Sequence, residues 1–265
     1  MPRNATKKKK RTIKRRNFAA YCNKEKKGKE MTVLVACEES QRICIEFRKR
    51  GHEAYSCDIQ DCSGGFPEWH IKENVLNIIN PSPHFGFITE DCSEWCGIDF
   101  FTRDGAYHRI EGNWDLIIAH PPCTYISNAG ACRLYPRKGE INEERYREGL
   151  KSKEFFIQIY NAMCERICIE NPLPSKVFQM PPYTQIIQPY EYGEPWSKRT
   201  CLWLKGLPKL KPTNILTEHN PYVSCKTSVF KGRKEKAGFS RAGGAAKIRS
   251  KTFWGIAAAM AEQWG

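Results

Sequence analysis

Short apolar runs recur along this chain, and each closes on a polar, acidic or sulfur-bearing residue. Thr32–Ala36 (TVLVA) ends at Cys37, and Ala54–Cys57 ends at Asp58. Trp114–Ala119 (WDLIIA) is stopped by His120-Pro121-Pro122, and Ile167–Ile169 ends at Glu170. Ile186–Gln188 and Cys201–Leu204 (CLWL) complete the set, with Val75–Ile79 as a further candidate. Runs this short and apolar suit strands buried on both faces of a parallel sheet. Parallel pairing needs a crossover between strands, and the intervening segments are long enough to supply helices. The pattern therefore predicts an α/β fold with a mostly parallel sheet.

The helices follow from caps and spacing. Ser40 is placed to cap a helix beginning at Gln41, with Ile43 and Phe47 on one face and Lys49-Arg50-Gly51 as a basic last turn and C′ glycine. Residues 142–166 read as a long helix with Leu150, Phe155 or Phe156, and Tyr160 near one face. Phe253–Trp264 reads as a closing helix with an Ala-rich face. Residues 80–112, with Pro81, Pro83, Cys92 and Cys96, break the rhythm and read as an insertion. Residues 208–250 are Pro-, Gly- and Lys-rich and predict irregular structure.

Charge is unevenly placed. The net charge is +14, but residues 1–30 hold 13 Lys/Arg against 2 Glu, a net +11. Residues 31–210 hold 20 basic and 24 acidic side chains, net −4, and residues 211–251 hold 10 and 2, net +8. A uniformly basic, histone-like protein is excluded, and the two basic segments suit a polyanion such as DNA. The first 30 residues read as a basic disordered arm, with the ordered pattern beginning at Met31, itself a plausible start. The 13 Cys lack the dense even spacing of a secreted disulfide scaffold. No apolar run follows the basic N-terminus and none is long enough for a membrane. The expectation is a reduced, cytoplasmic chain with no membrane partner, for which a monomer suffices.

Chemistry concentrates at the strand ends, where open α/β sheets bind ligands. Asp58, ending the second strand, suits ribose hydroxyls. The first strand-to-helix turn, Cys37-Glu38-Glu39-Ser40-Gln41, lacks the glycines that admit a phosphate and sets two carboxylates where one would sit. A phosphate-free, positively charged cofactor fits better, and S-adenosylmethionine has a sulfonium, an ammonium and a ribose. Two prolines stiffen the loop that presents Cys123, a candidate nucleophile, and Glu170 offers a carboxyl at a neighbouring strand end. Cys92 and Cys96, with His84 and His108 nearby, lie outside the tight zinc spacings and lack a second Cys pair, so no metal is predicted.

Four segments in order resemble the cytosine-C5 DNA methyltransferases, most closely the short phage and prophage members. PPCTYISNAG (121–130) is similar to the family's Pro-Cys loop, and Ile169-Glu170-Asn171-Pro172 to its Glu-Asn motif. Tyr192-Gly193-Glu194-Pro195-Trp196-Ser197-Lys198-Arg199 resembles its basic motif before the last strand, and Thr252-Phe253-Trp254-Gly255-Ile256-Ala257 its closing motif. The resemblance implies a Rossmann-like methyltransferase fold, a mostly parallel sheet with helices on both faces, using S-adenosylmethionine. It implies a catalytic core over 31–210 with the 80–112 insertion, a short basic DNA-recognition segment over 211–251, and a C-terminal helix, 252–265, returning to the core. Cys123 would attack C6 of a flipped cytosine, Glu170 would hold its N3 side, and Lys198 or Arg199 would contact base or phosphate. Cys37, Glu38, Ser40, Asp58, Asn74, Pro121 and Gly255 would bind the cofactor, with Asn74 standing where the family has an acid. Two other readings stay open: methylation of an exocyclic amine, and a non-catalytic DNA-binding protein that kept the fold.

Overall fold

The computed structural model describes residues 30–83, 96–137, 139–221 and 251–265. Residues 1–29 of the expected arm (1–30), His84 and Cys92 of the insertion, and residues 222–250 of the basic segment lie outside the described residues. In chain order the strands are β1 (Thr32–Ala36), β2 (Glu53–Cys57), β3 (His70–Ile71), β4 (Ser82–Pro83), β5 (Cys96–Phe101) and β6 (Tyr107–Glu111). They continue with β7 (Leu116–Ala119), β8 (Ile167–Pro172), β9 (Gln185–Ile187), β10 (Trp196–Ser197), β11 (Thr200–Lys205) and β12 (Asn220–Pro221). The α-helices are α1 (Arg42–Lys49), α2 (Ala131–Leu134), α3 (Glu143–Tyr160) and α4 (Trp254–Trp264).

Seven strands form the central sheet in the order β3-β2-β1-β7-β8-β11-β9. Its pairs are parallel from β3 to β8, while β11 runs antiparallel to both β8 and β9. The period-2 side-chain alternation sorts β1 between two cores. Leu34 and Ala36 pack with Phe156 and Ile159 of α3, whereas Val33 and Val35 pack with Ile43 and Phe47 of α1 and Met260 of α4. Helices therefore cover both faces, which is why β7 (LIIA) is buried at every position.

Helix α1 starts one residue later than its sequence suggests and is capped differently. Gln41 is the N-cap, in a left-handed conformation (φ 58°), and makes no side-chain cap bond. Glu38 does the capping: its carboxylate accepts from the Ile43 N–H at 2.8 Å and the Cys44 N–H at 3.4 Å. Gln41 instead clamps Phe66, donating to its carbonyl at 2.8 Å and accepting from its N–H at 3.1 Å. At the other end Gly51 takes φ 85°, the left-handed stop expected of a C′ glycine.

Helix α3 runs from its Asn142 cap, whose side chain accepts from the Arg145 N–H at 2.9 Å, and ends at Tyr160 rather than 166. Its buried face is Gly149, Phe156 and Ile159, with Leu150 exposed. The face is rotated because the Phe178 ring lies on Gly149, where a Cβ would come within 2.2 Å of it. Val75–Ile79 is not a strand: Val75–Asn77 forms a 3₁₀ turn capped by Asn74, and β3 at His70–Ile71 takes the sheet position. The insertion folds in part as a small antiparallel sheet, β4-β5-β6, which Phe100 and Trp114 fasten to Tyr55.

Candidate active site

The carboxyl ends of β1, β2, β7 and β8 open onto one cavity of about 730 Å³. Its place follows from the topology. The chain leaves β1 toward β2 on one side, and leaves β7 toward β8 on the other. The loops diverge at that switch point and leave a crevice between them.

One half of the cavity is acidic. Cys37, Glu38, Ser40, Asp58 and Asn74, all expected from sequence, line it, together with Glu39, the second carboxylate of the first turn, and Glu73, which sequence reasoning did not single out. Glu38 fills the anion position at the α1 N-terminus with the protein's own carboxylate, so a phosphate has no place there. Burial raises Glu38 to about 7, against the lowering effects of His120 and the α1 N–H groups. Asp58 receives the Gln60 N–H at 2.9 Å, which orients its carboxylate at the end of β2. Asn74 caps the 3₁₀ turn through a bond from Leu76 N–H at 3.1 Å, so its side-chain oxygen serves the backbone. Glu39 is 9% exposed; Lys251 Nζ, from the closing segment, lies 3.7 Å from its Oε1, and its Oε2 meets no hydrogen-bond partner. Cys37, held at φ 58°, has its thiol pushed up to about 12 by burial and by Asp58, which makes it inert as a nucleophile.

The other half brings together Pro121, Cys123, Glu170 and Lys198. The β7 stop places Cys123 three residues beyond His120, and the loop is tied to β8 by the Asn171 Nδ2 donating to the Pro121 carbonyl at 3.1 Å. Burial and the Glu170 charge raise the Cys123 thiol, while Lys198 opposes them. Burial would also raise Glu170, but Lys198 and His120 outweigh it and hold the carboxyl down at about 2. His120 Nδ1 lies 2.7 Å from Glu170 Oε2, with both side chains 11% exposed. A thiol, an ionised carboxylate and a cation thus share one water-poor space, a set able to support nucleophilic addition with charge stabilisation opposite it.

Two expected residues do not reach the cavity. Arg199 is exposed beside Lys198 and does not line it. Gly255 packs against backbone: a Cβ there would lie 1.8 Å from the Tyr192 carbonyl oxygen. The closing segment reaches the cavity through Thr252 instead, whose carbonyl accepts from Arg42 Nη1 at 2.7 Å. His120 has no role in the sequence reading, although it directly follows β7 as Asp58 follows β2, and that position was the available signal. His108 belongs to the fold: both its ring nitrogens share 3.0 Å hydrogen bonds, one with Tyr55 and one with Thr102. Among the described residues no group of three or more His, Cys, Asp or Glu could hold a metal ion, and no helix is long and apolar enough to cross a membrane. No protein-family model and no curated protein sequence matches this chain.

Proposed function

We propose that the chain is an S-adenosylmethionine-dependent DNA methyltransferase that methylates cytosine at C5 through a covalent Cys123 adduct. The observation that carries this reading is the meeting of Cys123, from the loop after β7, and Glu170, from β8, in one cavity lined also by Glu38, Glu39, Asp58 and Glu73. The seven-stranded α/β sheet is compatible with the fold that the sequence resemblance implies.

The acidic half fits the proposed cofactor. Glu38, Glu39, Asp58 and Glu73 would hold a cationic, ribose-bearing molecule; Lys251 lies 3.7 Å from Glu39 Oε1, and the Oε2 without a hydrogen-bond partner is the acceptor an ammonium would use. Bound there, S-adenosylmethionine supplies an electrophilic methyl group. The remaining work falls to the chain's own side chains. Cys123 adds to C6 of a cytosine swung out of the duplex. Glu170 holds the N3 side, and a proton shared there neutralises the carboxylate, which removes its repulsion of a Cys123 thiolate. Lys198 stabilises the anionic sulfur and carboxylate alike. The basic segments outside the core would add phosphate contacts, making DNA affinity strongly dependent on salt.

An amine-directed methyltransferase has no use for a thiol at 123. A non-catalytic DNA-binding protein has no use for the buried His120–Glu170 pair. Expression in a host followed by bisulfite sequencing of its DNA tests the reading: wild type should leave protected cytosines and Cys123→Ser none. Nucleoside mass spectrometry showing a methylated exocyclic amine, or no modified base, would refute it.

A further inference from the structure

The proposed reaction needs a proton at N3, and the resting Glu170 carboxyl has none to give. Its partner does. His120 leaves β7 directly beneath the Pro-Cys loop, and its Nδ1 lies 2.7 Å from Glu170 Oε2. Since the carboxylate can only accept, Nδ1 carries the shared proton. The ring's other nitrogen, Nε2, is buried and meets no hydrogen-bond partner, although His120 lines the cavity. The Nδ1 proton can pass to the carboxylate along the existing hydrogen bond without the ring moving.

We propose that His120 is the proton reservoir for Glu170, a positioning residue that loads the carboxyl from below while Glu170 alone touches the base. This rests on the methyltransferase reading. As Cys123 Sγ bonds to C6, the C5=C6 electron pair shifts toward C4 and N3 takes the proton from Glu170. Glu170 takes the Nδ1 proton from the imidazolium, leaving a neutral ring with its remaining proton on Nε2. When the methylated adduct breaks down, the C5–H pair re-forms C5=C6, Sγ departs with its electrons, and the C5 proton leaves to water. The N3 proton then returns through Glu170 to Nδ1.

The charged groups around the ring come from three elements: Glu38 from the loop after β1, Glu170 from β8, and Lys198 from the link between β10 and β11. Cys123 follows on the ring's own loop. The step consumes a proton of the doubly protonated ring, so turnover falls as rising pH depletes that form. The Cys123 thiol acts in the other direction, since the reactive thiolate grows with pH. Together they give a bell-shaped profile for kcat.

The experiment measures single-turnover methylation of duplex DNA across pH for wild type, His120→Asn, His120→Gln and Glu38→Gln. The Asn and Gln amides donate to Glu170 as the imidazole does but carry no titratable proton. The expected result is loss of the falling limb in both His120 variants, with kcat down on the order of 100-fold and KM for DNA unchanged. Glu38→Gln should keep the falling limb, which excludes Glu38 as its source. Thermal melts identify any His120 variant that fails to fold, and nitrogen NMR of the wild-type ring should find both nitrogens protonated at the pH of maximal turnover. A wild-type profile in folded His120→Asn, a falling limb lost with Glu38→Gln, or a ring protonated at one nitrogen only overturns the proposal and leaves the methyltransferase reading standing. A wild-type protein that neither methylates nor forms an adduct overturns both.

Discussion

Replacing Glu38 by Gln sets the electrostatics of the cavity floor against a stated magnitude. The Glu38 carboxyl titrates at about 7 rather than 4.5 because it is buried. The folded chain thus holds that proton more tightly than the unfolded chain does. Stability from this group is therefore fullest below about 4.5 and falls as pH rises through about 7. A gap of roughly two and a half pH units corresponds to about 3 kcal/mol at about 1.36 kcal/mol per unit. The side chain is only 4% exposed, so solvent screens little of it. Gln keeps an oxygen to receive the Ile43 N–H and cannot ionise. Urea unfolding of both proteins at about pH 5 and about pH 8.5 gives the comparison. The variant-minus-wild-type stability should move in the variant's favour by about 2.5 kcal/mol from the lower to the higher pH, since part of the gap is already lost at about pH 5. A difference that stays constant, or that moves against the variant, refutes the claim that this carboxyl is ionised at a cost inside the fold.

Glu170 works in the opposite sense. Held at about 2, it contributes stability above its unfolded value that is lost as pH falls from about 4.5 through about 2, so Glu170→Gln should flatten acid unfolding followed by circular dichroism. Lys198→Met removes the cation that offsets burial at both Cys123 and Glu170, so adduct formation should slow and its rising pH limb should shift upward in stopped assays. Gly255→Ala drives a methyl into the Tyr192 carbonyl and should cost about 1–3 kcal/mol or more, whereas Gly149→Ala meets only the Phe178 ring and should cost less; thermal melts rank the two.

The framework was legible because apolar runs leave a short-range signature. Thr32–Ala36 is β1 to the residue, and Cys37, Asp58 and Glu170 do converge on one cavity, although β8 runs past Glu170 to Pro172. Other features depend on contacts that no local pattern carries. Glu38 displaces Ser40 as the cap because its longer side chain reaches the α1 N–H groups from outside the turn. Leu150 lost its place in the core because Phe178, distant in sequence, seats on Gly149. Val75–Ile79 has strand-like composition, yet Asn74 caps a turn there and the two residues of β3 already pair with β2. His120 read as part of a loop until β8 brought Glu170 to its side, fifty residues later in the chain. The antiparallel β11 between β8 and β9 follows from connectivity, which composition does not record.

The central claim is a covalent bond between Cys123 and a cytosine ring. Duplex DNA carrying 5-fluorocytosine blocks the final loss from C5, so it should trap that bond when incubated with the protein and S-adenosylmethionine. Intact-mass spectrometry should show protein joined to DNA, and peptide mapping should place the linkage on Cys123, with none formed by Cys123→Ser. Folded, cofactor-binding protein that forms no adduct, or one mapped to another cysteine, contradicts the account.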